Sequence, residues 1–86
     1  MTKFREKMLK LIDVPVGRVS FRKDKWGELC SVSFARTATV VGIGEDASED
    51  DLESFLHSVK NGSKLFVSEA IKVYGANWKG KVKHRS

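Results

Sequence analysis

The chain has 86 residues, 41% of them apolar, and a formal net charge of +5, values that suit one small globular domain. No apolar run approaches the ~20 residues that span a bilayer, and charged residues interrupt the N-terminal stretch where a secretory signal would be apolar. A lone cysteine excludes an internal disulfide, so we expect a cytoplasmic protein without membrane contact, for which homodimerisation would supplement a small core.

The first predicted element is a helix over about residues 3–12. Thr2 can cap its start, and Pro15 disfavours helical backbone at the residue before it. Apolar residues recur at helical spacing along this segment and should face the core. They are Phe4, Met8, Leu11 and Ile12.

A β-hairpin should follow this helix. Apolar and polar residues alternate from Arg18 to Lys23, and the alternation resumes after the segment Asp24-Lys25-Trp26-Gly27. Gly27 can take the positive φ of a tight turn. One face is apolar and the other carries Arg18 and Arg22, which predicts a basic reverse face. The inward residues are Val19, Phe21, Cys30, Val32 and Phe34.

A third strand over about residues 37–43 is β-branched and apolar on both faces, which predicts a central strand. It leads into the helix with the clearest boundaries in the sequence. Ser48 is a suitable N-cap, and Asn61-Gly62 is typical of a C-cap. The stripe expected to pack on the sheet is Leu52, Phe55, Leu56 and Val59.

Residues 64–74 fit either a helix or a strand by periodicity. Their β-branched residues, the preceding turn and the need to pair a sheet edge favour a strand over about residues 68–74. We therefore predict one compact α+β domain over residues 1–75 and a basic C-terminal tail over residues 76–86. The domain should be a three- or four-stranded sheet covered on one face by two helices, in the order α-β-β-β-α-β.

The segment from Val40 to Tyr74 resembles the second half of acylphosphatase-like, ferredoxin-like domains. The similarity lies in a strand, a helix with an acidic start, an Asn-Gly turn and a returning strand. It implies a ferredoxin-like variant over half of the chain. Gly17-Arg18-Val19 and Phe21-Arg22 are similar to the phosphate loop of that family, but the intervening Q-G-V is absent, so the catalytic role is not carried over.

No catalytic or metal site is predicted. The segment 42–47 matches the dinucleotide-binding pattern G-x-G-x-x-A, but five acidic residues between positions 45 and 51 would repel a pyrophosphate. Cys30 lies in an apolar strand, and two histidines with one cysteine form no recognisable zinc spacing. We expect a protein that is not an enzyme and uses no cofactor or metal.

Charge is strongly segregated along the chain. Residues 1–36 carry nine basic and four acidic side chains, residues 37–59 carry six acidic and no basic ones, and residues 60–86 carry seven basic and one acidic. The tail has a cation at every second position, which in an extended chain places them on one side. Trp78 could stack on a base there, or it could pack in the core of a protein whose tail is merely solvated.

The leading hypothesis is a small DNA- or RNA-binding protein that contacts phosphates through its basic sheet face and its basic tail. The alternative is an adaptor or inhibitor that binds a protein through its acidic helix or an exposed sheet edge. The candidate nucleic-acid contacts are Arg18, Arg22, Trp26, Trp78, Lys79, Lys81, Lys83 and Arg85.

Overall fold

The computed structural model describes residues 2–34 and 40–81. In chain order the elements are α1 (Lys3–Leu11), β1 (Arg18–Asp24), β2 (Gly27–Ser33), β3 (Val40–Gly44), α2 (Glu49–Tyr74), a 3₁₀ turn (Gly75–Asn77) and α3 (Trp78–Lys81). The predicted α+β class, with two main helices and a three-stranded sheet, is confirmed. The ferredoxin-like order is not confirmed, because residues 68–74 belong to α2 and form no strand.

Both predicted helix starts are confirmed by their capping contacts. The Thr2 hydroxyl accepts from the Arg5 amide at 3.2 Å, and the Ser48 hydroxyl accepts from the Asp51 amide at 3.2 Å. Each cap satisfies one of the amides that a helix leaves without an internal partner. Three acidic residues in the first turn of α2 also suit the positive end of its dipole.

The sheet is antiparallel throughout, and β2 lies between β1 and β3. The prediction that the third strand is central is therefore wrong. An antiparallel strand commonly pairs with its neighbour in sequence, and β1 already occupies the other side of β2. Because residues 68–74 are helical, they do not cover the outer edge of β3, and Val40 is 62% exposed.

One face of the sheet carries the core. Cys30 in the central strand lies opposite Phe21 on one side and Ile43 on the other, and all three side chains point to the helices. The ring of Phe4 in α1 meets Phe21 edge-on at 6.2 Å. From α2, Phe55 completes the layer, so the predicted helix stripe does pack on the sheet.

The predicted end of the helix at Asn61-Gly62 is wrong, because α2 continues for three more turns. Its buried stripe extends past Gly62 through Ser63, Phe66 and Ala70 at helical spacing. A side chain at position 62 would overlap the ring of Phe34. Gly62 therefore serves a close approach between helix and core, which is a different use of glycine from a C-cap.

Gly62→Ala is expected to destabilise the protein. Alanine is favoured over glycine inside a helix by about 1 kcal/mol, but overpacking a filled core costs about 1–3 kcal/mol. Phe34 is only 2% exposed, so its ring has little room to move away. Urea unfolding followed by circular dichroism should show a lower midpoint. The exposed neighbour supplies the control, since Asn61→Ala should not lower it, and a raised midpoint for Gly62→Ala would contradict this packing.

Candidate nucleic-acid interface

The face of the sheet turned away from the helices carries two arginines and several serines, together with Leu29 and Val40. Arg18 and Arg22 are both exposed, and they lie on β1 about 13 Å apart at the usual rise of a strand. Between them Ser20 lies opposite Ser31, which in turn lies opposite Gly42 of β3. This row of small residues forms a flat floor beside two guanidinium groups, as the sequence predicted for the reverse face.

The tip of the hairpin presents an exposed aromatic ring. Trp26 is 69% exposed, although tryptophan is usually among the most buried residues on average. Its amide donates to the Asp24 carboxylate at 2.8 Å, and Gly27 has a φ of +118°, so a tight turn sets the position of the ring. The Lys25 ammonium lies 4.6 Å from the ring centroid over one face. The ring is otherwise largely exposed to solvent.

These four residues, Arg18, Arg22, Lys25 and Trp26, are called the hairpin surface below. Lys25 was not among the residues predicted from the sequence. Its position next to Trp26 in a predicted turn was the available signal, because a cation beside an aromatic residue commonly stacks on it. The hairpin surface thus joins three cations to one ring on a single β-hairpin.

Arg5 is positively charged but is held in a structural role. Its Nε donates to the Glu28 carboxylate at 2.6 Å, and its guanidinium lies 5.4 Å from the centroid of the Phe21 ring. This hydrogen bond lowers the pKa of Glu28 from its ordinary value, against the effect of desolvation. The Glu28 amide in turn donates to the Glu45 carboxylate at 2.8 Å. Arg5 therefore neutralises an internal acid rather than a phosphate.

Trp78 lies in the core, which corrects its prediction as a stacking residue and confirms the alternative placement. It is 7% exposed, and its ring meets Phe66 edge-on at 6.4 Å. An indole has so much apolar surface that burial against α2 outweighs keeping it in solvent. The core thus includes a residue beyond the predicted domain boundary at residue 75.

The remaining tail residues are placed only in part. The backbone of α3 is helical from Trp78 to Lys81, so Lys79 and Lys81 do not lie on the extended chain that the prediction required. Lys79 is exposed, with its ammonium 5.8 Å from the Trp78 ring centroid. Lys83 and Arg85 fall outside the described residues.

Two further kinds of candidate site are a reactive cysteine and a metal site. Cys30 is fully buried, and burial raises the pKa of its thiol to about 11, so it is no nucleophile at neutral pH. Within residues 2–34 and 40–81, no group of three or more histidine, cysteine, aspartate or glutamate side chains could hold a metal ion. No helix in these ranges has the length and apolar character needed to cross a membrane.

Comparisons of the chain with known protein families, curated proteins and solved structures find no match. The function must therefore be argued from the chemistry of the surface itself.

Proposed function

We propose that the protein binds single-stranded nucleic acid, DNA or RNA, through the hairpin surface. The observation that supports this most directly is the 69% exposure of Trp26 beside Lys25. Proteins that bind single strands combine aromatic side chains, on which bases stack, with cations that follow the phosphates. The hairpin surface has both parts.

The arginines and the tryptophan of the hairpin surface have different tasks in this proposal. The guanidinium groups of Arg18 and Arg22 donate paired hydrogen bonds to phosphate oxygens. The flat floor between them lets the sugar-phosphate chain approach the sheet, because Ser20 and Ser31 project little. Trp26 stacks on a base at the tip with its open face. Since stacking accepts any base, the binding should show little sequence preference.

The basic C-terminal tail adds general attraction in this proposal. Lys79 is exposed on α3, and further cations follow it in the sequence. Such charges raise the rate of encounter with a polyanion and increase the salt dependence of binding. They do not select one sequence over another.

Trp26→Ala should weaken binding to a single-stranded oligonucleotide by about 1–3 kcal/mol, the usual value of one base stacked on an aromatic ring. Binding to a duplex of the same sequence should change less, because paired bases are not free to stack. Fluorescence anisotropy with labelled oligonucleotides measures both. Unchanged single-strand affinity in Trp26→Ala would reject the stacking role.

The same titrations across a salt series test the two arginines. Replacing Arg18 and Arg22 together by alanine should flatten the slope of log affinity against log salt by about 1.4, from about 0.7 for each single-strand phosphate contact. The matched control replaces two exposed cations of α2, Lys60 and Lys64, which lie outside the hairpin surface. If the control flattens the slope and the arginine variant does not, or if the wild type binds neither nucleic-acid form at low salt, the proposed surface is wrong.

A further inference from the structure

The outer edge of β3 lacks the charges that protect the opposite edge of the sheet. β1 carries four charged residues, whereas β3 has the sequence Val-Val-Gly-Ile-Gly. Natural proteins usually protect exposed edges with charged residues, because an open edge can pair with another chain. An uncharged edge with Val40 62% exposed is suited to pairing.

The backbone of β3 offers hydrogen-bonding groups to such a partner. The Glu45 amide donates to the Glu28 carbonyl at 2.8 Å, which continues the pairing of β2 with β3 by one residue. Because successive residues of an antiparallel strand bond to alternate sides, Val40, Gly42 and Gly44 direct their amides outward. The Gly44 carbonyl accepts from the Ala47 amide at 3.2 Å. In the described part of the chain, no partner is present for the outward groups of Val40 and Gly42.

A groove of about 560 Å³ runs beside this edge, between β3 and α2. Its helix side includes Asp51, Ser54 and Ser58 beside the buried Phe55, and its strand side includes Val41 and Ile43, which face the helix. The two serines on the helix side are small and leave room for the side chains of an added strand. The groove and the open edge therefore form one continuous surface.

The charge around the groove favours a cationic occupant. Residues 40–59 carry six acidic and no basic side chains. A second hollow on the same helix is lined by Asp50, Glu53 and His57, and it shares Ser54 and Ser58 with the groove. Pairing β3 with β3 of a second copy would bring two acidic helices together. A cationic peptide instead meets opposite charge.

We propose that β3 accepts an extended peptide with lysine or arginine at alternate positions, which adds to the sheet as a fourth strand. The peptide backbone pairs with Val40 and Gly42. Every second side chain points to α2, because side chains alternate along a strand, and these positions carry the cations that meet Asp51. This surface lies on the edge opposite the hairpin surface, so it is a function beyond nucleic-acid binding.

The probe is a synthetic eight-residue peptide that alternates lysine and valine, titrated into the full-length protein. We expect it to bind, and we expect a peptide with glutamate in place of lysine not to bind. N-methylation of alternate peptide amides removes the donors that face β3 and should weaken binding at least tenfold. Amide hydrogen exchange of Val40 and Gly42 should slow when the unmodified peptide is added.

A double variant, Ser54→Lys with Ser58→Lys, should weaken peptide binding at least tenfold, because it fills the groove and reverses its charge. Both serines are exposed and lysine is a good helix former, so the fold should persist, as circular dichroism can verify. Ser68→Lys, on the C-terminal half of α2, is the matched control and should bind as the wild type does. Trp26→Ala should also leave peptide binding unchanged.

Four results would overturn the proposal. Equal binding of the N-methylated peptide, or unchanged exchange at Val40 and Gly42, would show attraction without strand pairing. Equal binding of the glutamate peptide would remove the charge selectivity. Sedimentation that shows a dimer, with the same two amides protected at high protein concentration and no peptide present, would assign the edge to a second copy.

Discussion

Phe66→Ala is expected to lower the free energy of unfolding by about 3–5 kcal/mol, the usual cost of removing a buried aromatic ring. Phe66 is fully buried in the second half of α2. Its ring centroid lies 6.3 Å from that of Phe34, the residue after β2, and 6.4 Å from that of Trp78 in α3. The substitution therefore opens a cavity where the sheet, the long helix and the C-terminal helix meet.

The neighbouring residue provides a control within the same helical turn. Leu65 is 63% exposed, so Leu65→Ala should change stability by no more than about 0.5 kcal/mol. Urea unfolding followed by circular dichroism measures both variants. Small domains have only about 5–15 kcal/mol of stability in total, so the Phe66 variant should be partly unfolded at modest temperature. Similar losses in the two variants would contradict the observed face of the helix.

The charge segregation of the sequence corresponds to a division in space. The basic N-terminal third supplies the hairpin surface on β1 and the turn after it, and the acidic middle third includes β3 and the first half of α2. The two lie at opposite edges of one sheet because β2 is central. None of the four residues of the hairpin surface takes part in peptide binding, so each proposal can fail without the other.

Local signals predicted the starts of elements well. Thr2 and Ser48 cap their helices as expected, and the turn before Gly27 joins the two strands of the predicted hairpin. Each of these features depends on residues within four positions of one another, so the sequence pattern contains the whole cause. The exposed positions of Arg18 and Arg22 follow from the same alternation.

Features that depend on distant contacts were not predictable in this way. Gly62 has the same sequence signature as a C-cap, and only the ring of Phe34, 28 positions earlier, shows that it permits close packing. The strand prediction for residues 68–74 failed for a related reason. Burial of Phe66 and Ala70 against the core favours helix more than the local preference of β-branched residues favours strand. Because residues 68–74 are helical and do not pair with β3, that strand lies at the edge of the sheet.

The two tryptophans make a matched pair with opposite expected effects. Trp78→Ala should lower the free energy of unfolding by about 3–5 kcal/mol, because the indole is 7% exposed and packs on Phe66. Trp26→Ala removes a ring that is 69% exposed and should change stability by no more than about 0.5 kcal/mol. Thermal unfolding and urea unfolding of the two variants measure this difference directly.

The two substitutions should affect nucleic-acid binding in the reverse order, with the larger loss in Trp26→Ala. Provided that the Trp78→Ala protein is kept at a temperature where it is folded, its affinity for single-stranded oligonucleotides should match that of the wild type. Trp78→Phe should restore most of the lost stability, since a smaller ring can still meet Phe66 edge-on. A Trp78→Ala protein that stays stable but loses single-strand binding would contradict the core position of Trp78. It would instead support a role for Trp78 as a base-stacking residue of the tail.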